Sequence, residues 1–99
     1  MPESISDLDE VRRIVLSGLA GYRARVLLFG SWAKGKGRRT SDIDVAVLPV
    51  DPLPIGLLSD IREDLEDSHV LYPVDLIDLS ESGQHFRQIV EAEGVVWRD

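Results

Sequence analysis

The chain contains no cysteine. Disulfides, thiolate zinc sites and cysteine nucleophiles are therefore excluded, and a reducing, cytoplasmic setting is expected. Long apolar runs are also missing. None approaches the length of a membrane span, and the acidic N-terminal stretch is unlike a signal peptide, so no membrane association is expected. Positive charge is scarce: 11 Lys and Arg face 18 Asp and Glu, a net charge of −7. That balance argues against broad nucleic-acid binding through the whole surface. Internal repeats, low-complexity tracts and linker-like stretches are absent as well. Ninety-nine residues, 43% hydrophobic and 29% charged, predict one ordinary globular domain spanning 1–99.

What is present is an alternation of helical and strand periods. Leu8, Val11, Val15 and Leu19 recur at helical spacing, with Asp7, Asp9 and Glu10 suited to a first turn. This predicts a helix over 6–22 that Gly21 ends. Residues 25–29 and 43–48 read as strands, with a turn over 30–37 between them. Asp51 and Pro52 form a helix-start signal, and Leu57, Leu58, Ile61 and Leu65 carry that helix to about residue 68. A strand over 74–79, a helix over 84–93 stopped by Gly94, and a short edge strand over 95–97 complete the order. The fold class is α/β (α+β): a small mixed sheet of three to four strands packed with helices. Periodicity does not set the strand order.

The chemistry concentrates between residues 27 and 47. Leu27-Leu28-Phe29 runs into Gly30-Ser31, and Ser41-Asp42-Ile43-Asp44 opens the apolar run Val45-Ala46-Val47. Residues two apart on a strand share a face, so Asp42 and Asp44 project together. Adjacent carboxylates repel unless a cation lies between them, and hard oxygen donors suit Mg2+ or Mn2+. Gly30 allows a tight turn whose backbone N–H groups, with the Ser31 hydroxyl, can meet a phosphate. Alone, the Gly-Ser dipeptide is an ordinary turn and the Asp pair a turn cap plus a solvent-facing side chain. Their spacing, with Lys34, Lys36, Arg38 and Arg39 between them, favours a small anionic ligand such as a nucleoside triphosphate.

The apolar strand, Gly-Ser, ten-residue spacer and Asp-Ile-Asp-Val together resemble the DNA polymerase beta-like nucleotidyltransferases. Within them the short chain is similar to the minimal nucleotidyltransferases (MNT) that serve as antitoxins beside HEPN toxins. The resemblance runs from Val26 to about Trp97, and it implies the family fold with one antiparallel pairing in a mixed sheet. It also implies that Asp75, in Tyr72-Pro73-Val74-Asp75-Leu76-Ile77-Asp78-Leu79, is a third carboxylate binding the metal with Asp42 and Asp44. A carboxylate within that apolar run is expected to need such a partner. Asp78, three residues on, points to the opposite face and reads as a strand-end residue. Gly30, Ser31 and Lys34 take the nucleotide's phosphates by the same resemblance. Lys34 stands where relatives often carry arginine, and meets phosphate as a point charge rather than a fork.

The implied reaction is attack of an acceptor hydroxyl on the α-phosphate of ATP, with release of pyrophosphate. No acceptor-holding domain follows the third strand, so the acceptor is expected on a partner: a tyrosine of a helical HEPN-type toxin, silenced by AMP. Two alternatives stay open. The chain is a docking antitoxin that acts without catalysis, or an aminoglycoside-type small-molecule nucleotidyltransferase with a separate acceptor-binding subunit. Homodimer and hetero-oligomer are both compatible with the size. Trp32 and Trp97 read as packing residues, and His69 and His85 as surface residues without metal-like companions.

Overall fold

Two nearly continuous apolar runs, β1 (Ala24–Phe29) and β2 (Ile43–Pro49), form the middle of the sheet. Such runs suit strands covered on both faces. The computed structural model describes residues 3–35 and 42–99. In chain order the elements are α1 (Glu3–Gly18), β1, β2, α2 (Leu57–Glu66), β3 (Val74–Asp78), a 3-10 turn (Leu79–Glu81), α3 (Gln84–Glu93) and β4 (Val95–Arg98). The sheet order is β3-β2-β1-β4. β1 pairs antiparallel with both β2 and β4, while β2 and β3 run parallel.

Alternation along the strands divides the core in two. On one face, Val26 and Leu28 of β1, Val45 and Val47 of β2 and Leu76 of β3 pack under α1 and α2. Val11, Val15, Ile61 and Leu65 come from those helices, and Leu19 from the turn just after α1. On the other face, Leu27, Ala46 and Leu48 meet Leu79 of the 3-10 turn and Val90 of α3. Phe29 joins this second face and meets Phe86 edge-on, ring centroids 5.9 Å apart. Among the described residues no polar or charged side chain is buried.

The structure corrects several boundaries. The first helix begins at Glu3 and ends at Gly18 rather than spanning 6–22. Gly21, at a left-handed φ of 86°, lies in the turn beyond the helix end. The second helix begins only at Leu57, not at Pro52. Pro54 disfavours helical backbone at Leu53, and Gly56, at φ 86°, redirects the chain into the helix. The helix ends at Glu66. Two pairings are antiparallel rather than one, because α3 returns the chain beside β1 as the edge strand β4. Leu79 leaves the third strand for the 3-10 turn, where Asp78 accepts hydrogen bonds from Ser80 N at 2.9 Å and Ser80 Oγ at 2.6 Å. Asp78 is thus the strand-end residue that the sequence indicated.

β3 is an edge strand, and its outward side is covered by a side chain. Arg62 of α2 donates from Nε (3.3 Å) and Nη2 (2.8 Å) to the Leu76 carbonyl, one residue beyond Asp75. Trp97 is partly buried against the α1/α2 side of the core. His69 and His85 are exposed.

Candidate active site

The parallel register of β2 and β3 places Asp44 directly beside Asp75. Across the antiparallel pair, Asp44 lies opposite Phe29, the last residue of β1. Three consecutive strands therefore deliver Phe29, Asp44 and Asp75 in one row at the same end of the sheet. Asp42 is exposed and immediately precedes β2. Asp44 is half-buried, while Asp75 is exposed. Asp75 thus carries no burial penalty, contrary to the expectation that it sits as a buried charge in an apolar run. The residue under electrostatic load is Asp44. Partial burial raises its pKa first, and the charges of Asp75 and Asp42 raise it further.

The Gly-Ser turn leans on this carboxylate. Gly30 has φ 75°, and a Cβ built there would collide with Asp44 Oδ2. Only glycine combines that backbone with so close an approach. Ser31 is exposed beside it. The turn is closed by Lys34 N donating to the Gly30 carbonyl and Gly35 N donating to the Trp32 carbonyl, both at 3.3 Å. Trp32 packs edge-on against Tyr72, 5.0 Å between centroids, and both rings rest on the α1/α2 core. Trp32 is therefore a packing residue, and Tyr72, which the sequence did not single out, is its partner.

Gly30, Ser31, Asp42, Asp44 and Asp75 are thus gathered at one end of the sheet. Lys34 is in the turn, but its Nζ lies 3.8 Å from Glu93 Oε1 at the C-terminal end of α3. No ion pair among the described residues joins Lys34 to the three aspartates. Lys36, Arg38 and Arg39 lie outside the described residues. Among those described, no three acidic or histidine side chains close into a metal cage in this conformation. The donor chemistry nevertheless fits a hard divalent cation: Asp44 offers carboxylate oxygens and is flanked by two further carboxylates whose repulsion an ion would relieve. A cavity of about 620 Å³ among the described residues is elsewhere. It lies at the opposite strand ends, where Pro49, Leu53, Arg62 and Asp78 contribute to its wall.

A small mixed sheet with neighbouring aspartates on parallel strands, abutted by a glycine turn, is the framework of a nucleotidyltransferase. The family model "Polymerase beta, Nucleotidyltransferase" matches residues 23–98, and the chain belongs to that family. It is 34% identical over 71 residues to the "Probable protein adenylyltransferase MntA" of Haemophilus influenzae, covering 72% of this chain and 62% of that protein. The chain thus matches less than two thirds of that relative's length. A solved structure described as a candidate minimal nucleotidyltransferase superposes with a TM-score of 0.72 at 28% identity, covering 91% of this chain and 92% of the other. A chain in the crystal structure of a toxin–antitoxin with AMP-PNP gives a TM-score of 0.68 at 28% identity, covering 87% and 71%. Among the described residues, no helix is long and apolar enough to cross a membrane.

Proposed function

We propose that this protein is a metal-dependent nucleotidyltransferase that transfers AMP from ATP to a tyrosine hydroxyl of a helical HEPN-type toxin, and so acts as its cytoplasmic antitoxin. The observation that carries this reading is the register pair Asp44–Asp75 at the strand end against which Gly30 packs. Asp42, Asp44 and Asp75 would hold Mg2+ or Mn2+. The ion, when bound, neutralises phosphate charge and lowers the pKa of the attacking hydroxyl. The Gly30-Ser31 turn supplies backbone N–H groups and a hydroxyl to the terminal phosphates, with Lys34 as a nearby cation. The acceptor oxygen bonds to the α-phosphorus, the bond from that phosphorus to the α–β bridging oxygen breaks, and pyrophosphate leaves. The tyrosine O–H bond breaks in the same exchange, and its proton passes to solvent.

The adenylyltransferase name of the Haemophilus relative supports AMP as the transferred group. The structurally similar toxin–antitoxin with AMP-PNP supports both the nucleotide and the kind of partner. The chain is tested by co-expression with a HEPN-type toxin and incubation with ATP and magnesium. An AMP adduct on a toxin tyrosine, absent with Asp44→Ala, is the expected result. A complex that forms and neutralises the toxin without any adduct overturns the catalytic reading. That outcome would favour docking alone.

A further inference from the structure

Lys34 and Glu93 are 59 positions apart in sequence and lie on different elements, yet their side chains form an ion pair at 3.8 Å. The topology gives the pair a direction. Glu93 is the last residue of α3, and Gly94 passes the chain straight into β4. β4 flanks β1 on the side away from β2, while Asp44 and Asp75 lie on β2 and β3. A lysine engaged with Glu93 is therefore drawn toward the β4 side of the phosphate turn, away from the carboxylate row. Both side chains are about half exposed, so the pair is weak enough to be exchanged for a better anion.

We propose that Glu93 is a positioning residue that restrains Lys34, and that a bound triphosphate takes Lys34 from it. This rests on the reading of the Gly30-Ser31 turn as a phosphate site. Two effects act in the same sense. Glu93 occupies the lysine that the phosphates would use, and its own negative charge opposes an anionic ligand nearby. Removing the charge while keeping the shape, with Glu93→Gln, should therefore tighten nucleotide binding rather than weaken it. An exposed ion pair sets the scale at about two- to fivefold. The gain should shrink as ionic strength rises, since the pair is open to solvent. Because the restraint acts on phosphate contacts, inorganic tripolyphosphate should gain as much as ATP.

The experiment is calorimetric titration of ATP, and separately of tripolyphosphate, with magnesium at low salt. The proteins are wild type, Glu93→Gln, Lys34→Met and the double variant, with thermal melts confirming that each is folded. The expected result is tighter binding of both ligands by Glu93→Gln, with most of the gain lost when Lys34 is already methionine. Unchanged or weaker binding by Glu93→Gln overturns the proposal. So does a gain confined to ATP, or one that persists in full without Lys34, which would mean a long-range field rather than restraint. If the wild type binds neither ligand, the phosphate reading of the turn fails and the proposal falls with it. Wild-type binding with an indifferent Glu93 sinks the proposal alone.

Discussion

Asp44→Asn should stabilise the protein in the absence of metal while removing the proposed nucleotide chemistry. Asp44 is half-buried, and its carboxylate feels Asp75 beside it in the parallel register and Asp42 two residues earlier. Burial, then Asp75, then Asp42 raise its pKa. A carboxyl whose folded pKa lies above its unfolded value binds a proton more readily when folded. Its contribution therefore favours the fold below the unfolded pKa, near 3.9, and is lost as pH rises through the folded value. At neutral pH the charged Asp44 is a net cost, which the isosteric amide removes. Like charges on neighbouring strands are worth roughly 0.2–1 kcal/mol, and solvent screening at this partly open position keeps the figure toward the lower end. For a domain of this size that is a rise in Tm of about 1–5 °C.

The assay is a thermal melt by circular dichroism in EDTA, from pH 3 to 8, at low and high salt. The Asn variant should melt higher at pH 7, and the difference should close as acid protonates Asp44 in the wild type. Salt should also narrow it. Adding magnesium with ATP should reverse the order, stabilising the wild type by mass action and the variant little. A variant that melts lower than wild type in EDTA at pH 7 would refute the claim that these carboxylates strain the fold. A difference indifferent to both pH and salt would refute its electrostatic origin.

Gly30→Ala should cost about 1–3 kcal/mol in a denaturant titration, because φ 75° strains an L-residue and the added methyl meets the Asp44 carboxylate. Nucleotide binding should be lost with it. Arg62→Met should lower stability by about 1–3 kcal/mol, since the Leu76 carbonyl of the edge strand loses both guanidinium donors. Hydrogen exchange at β3 amides should rise more than at β1 amides. Asp78→Ala should cost about 1 kcal/mol by uncapping the 3-10 turn at Ser80, yet leave calorimetric ATP binding at the wild-type value. Asp75→Ala should do the reverse.

The local features were the legible ones. Leu8, Val11 and Val15 repeat at a helical period that α1 keeps, and Leu19 packs from the turn just beyond it. The runs behind Phe29 and after Asp42 are too apolar to be anything but covered strands. The start of α2 is not legible locally, because Asp51-Pro52 looks like a cap. The second proline, Pro54, and the left-handed Gly56 hold the chain out of helix for five more residues. A helix-start signal is a statement about one residue's side chain and φ, and it does not see a breaker downstream.

The site divides along the same line. Asp42 and Asp44 are two positions apart in sequence, so the sequence could pair them, although Asp42 lies just before β2 and acts on Asp44 through its charge. Asp75 joins them only through the β2–β3 register, in which Ile43 faces Val74 and Asp44 faces Asp75. A one-residue slip would send Asp75 to the other face and break the row. Val45 and Val47 on β2 and Leu76 on β3 share the face under α1 and α2, so slippage would expose Leu76 and bury a carboxylate there. Hydrophobic burial on one face therefore fixes the position of carboxylates on the other, with no direct attraction between them. The Lys34–Glu93 pair is further removed still. It depends on β4 returning antiparallel beside β1, a pairing that no local pattern encodes. Electrostatic partners across the sheet are set by packing chosen elsewhere. The acidic residues of such a site can thus carry mutual repulsion that the fold tolerates only because its apolar face has already decided the register.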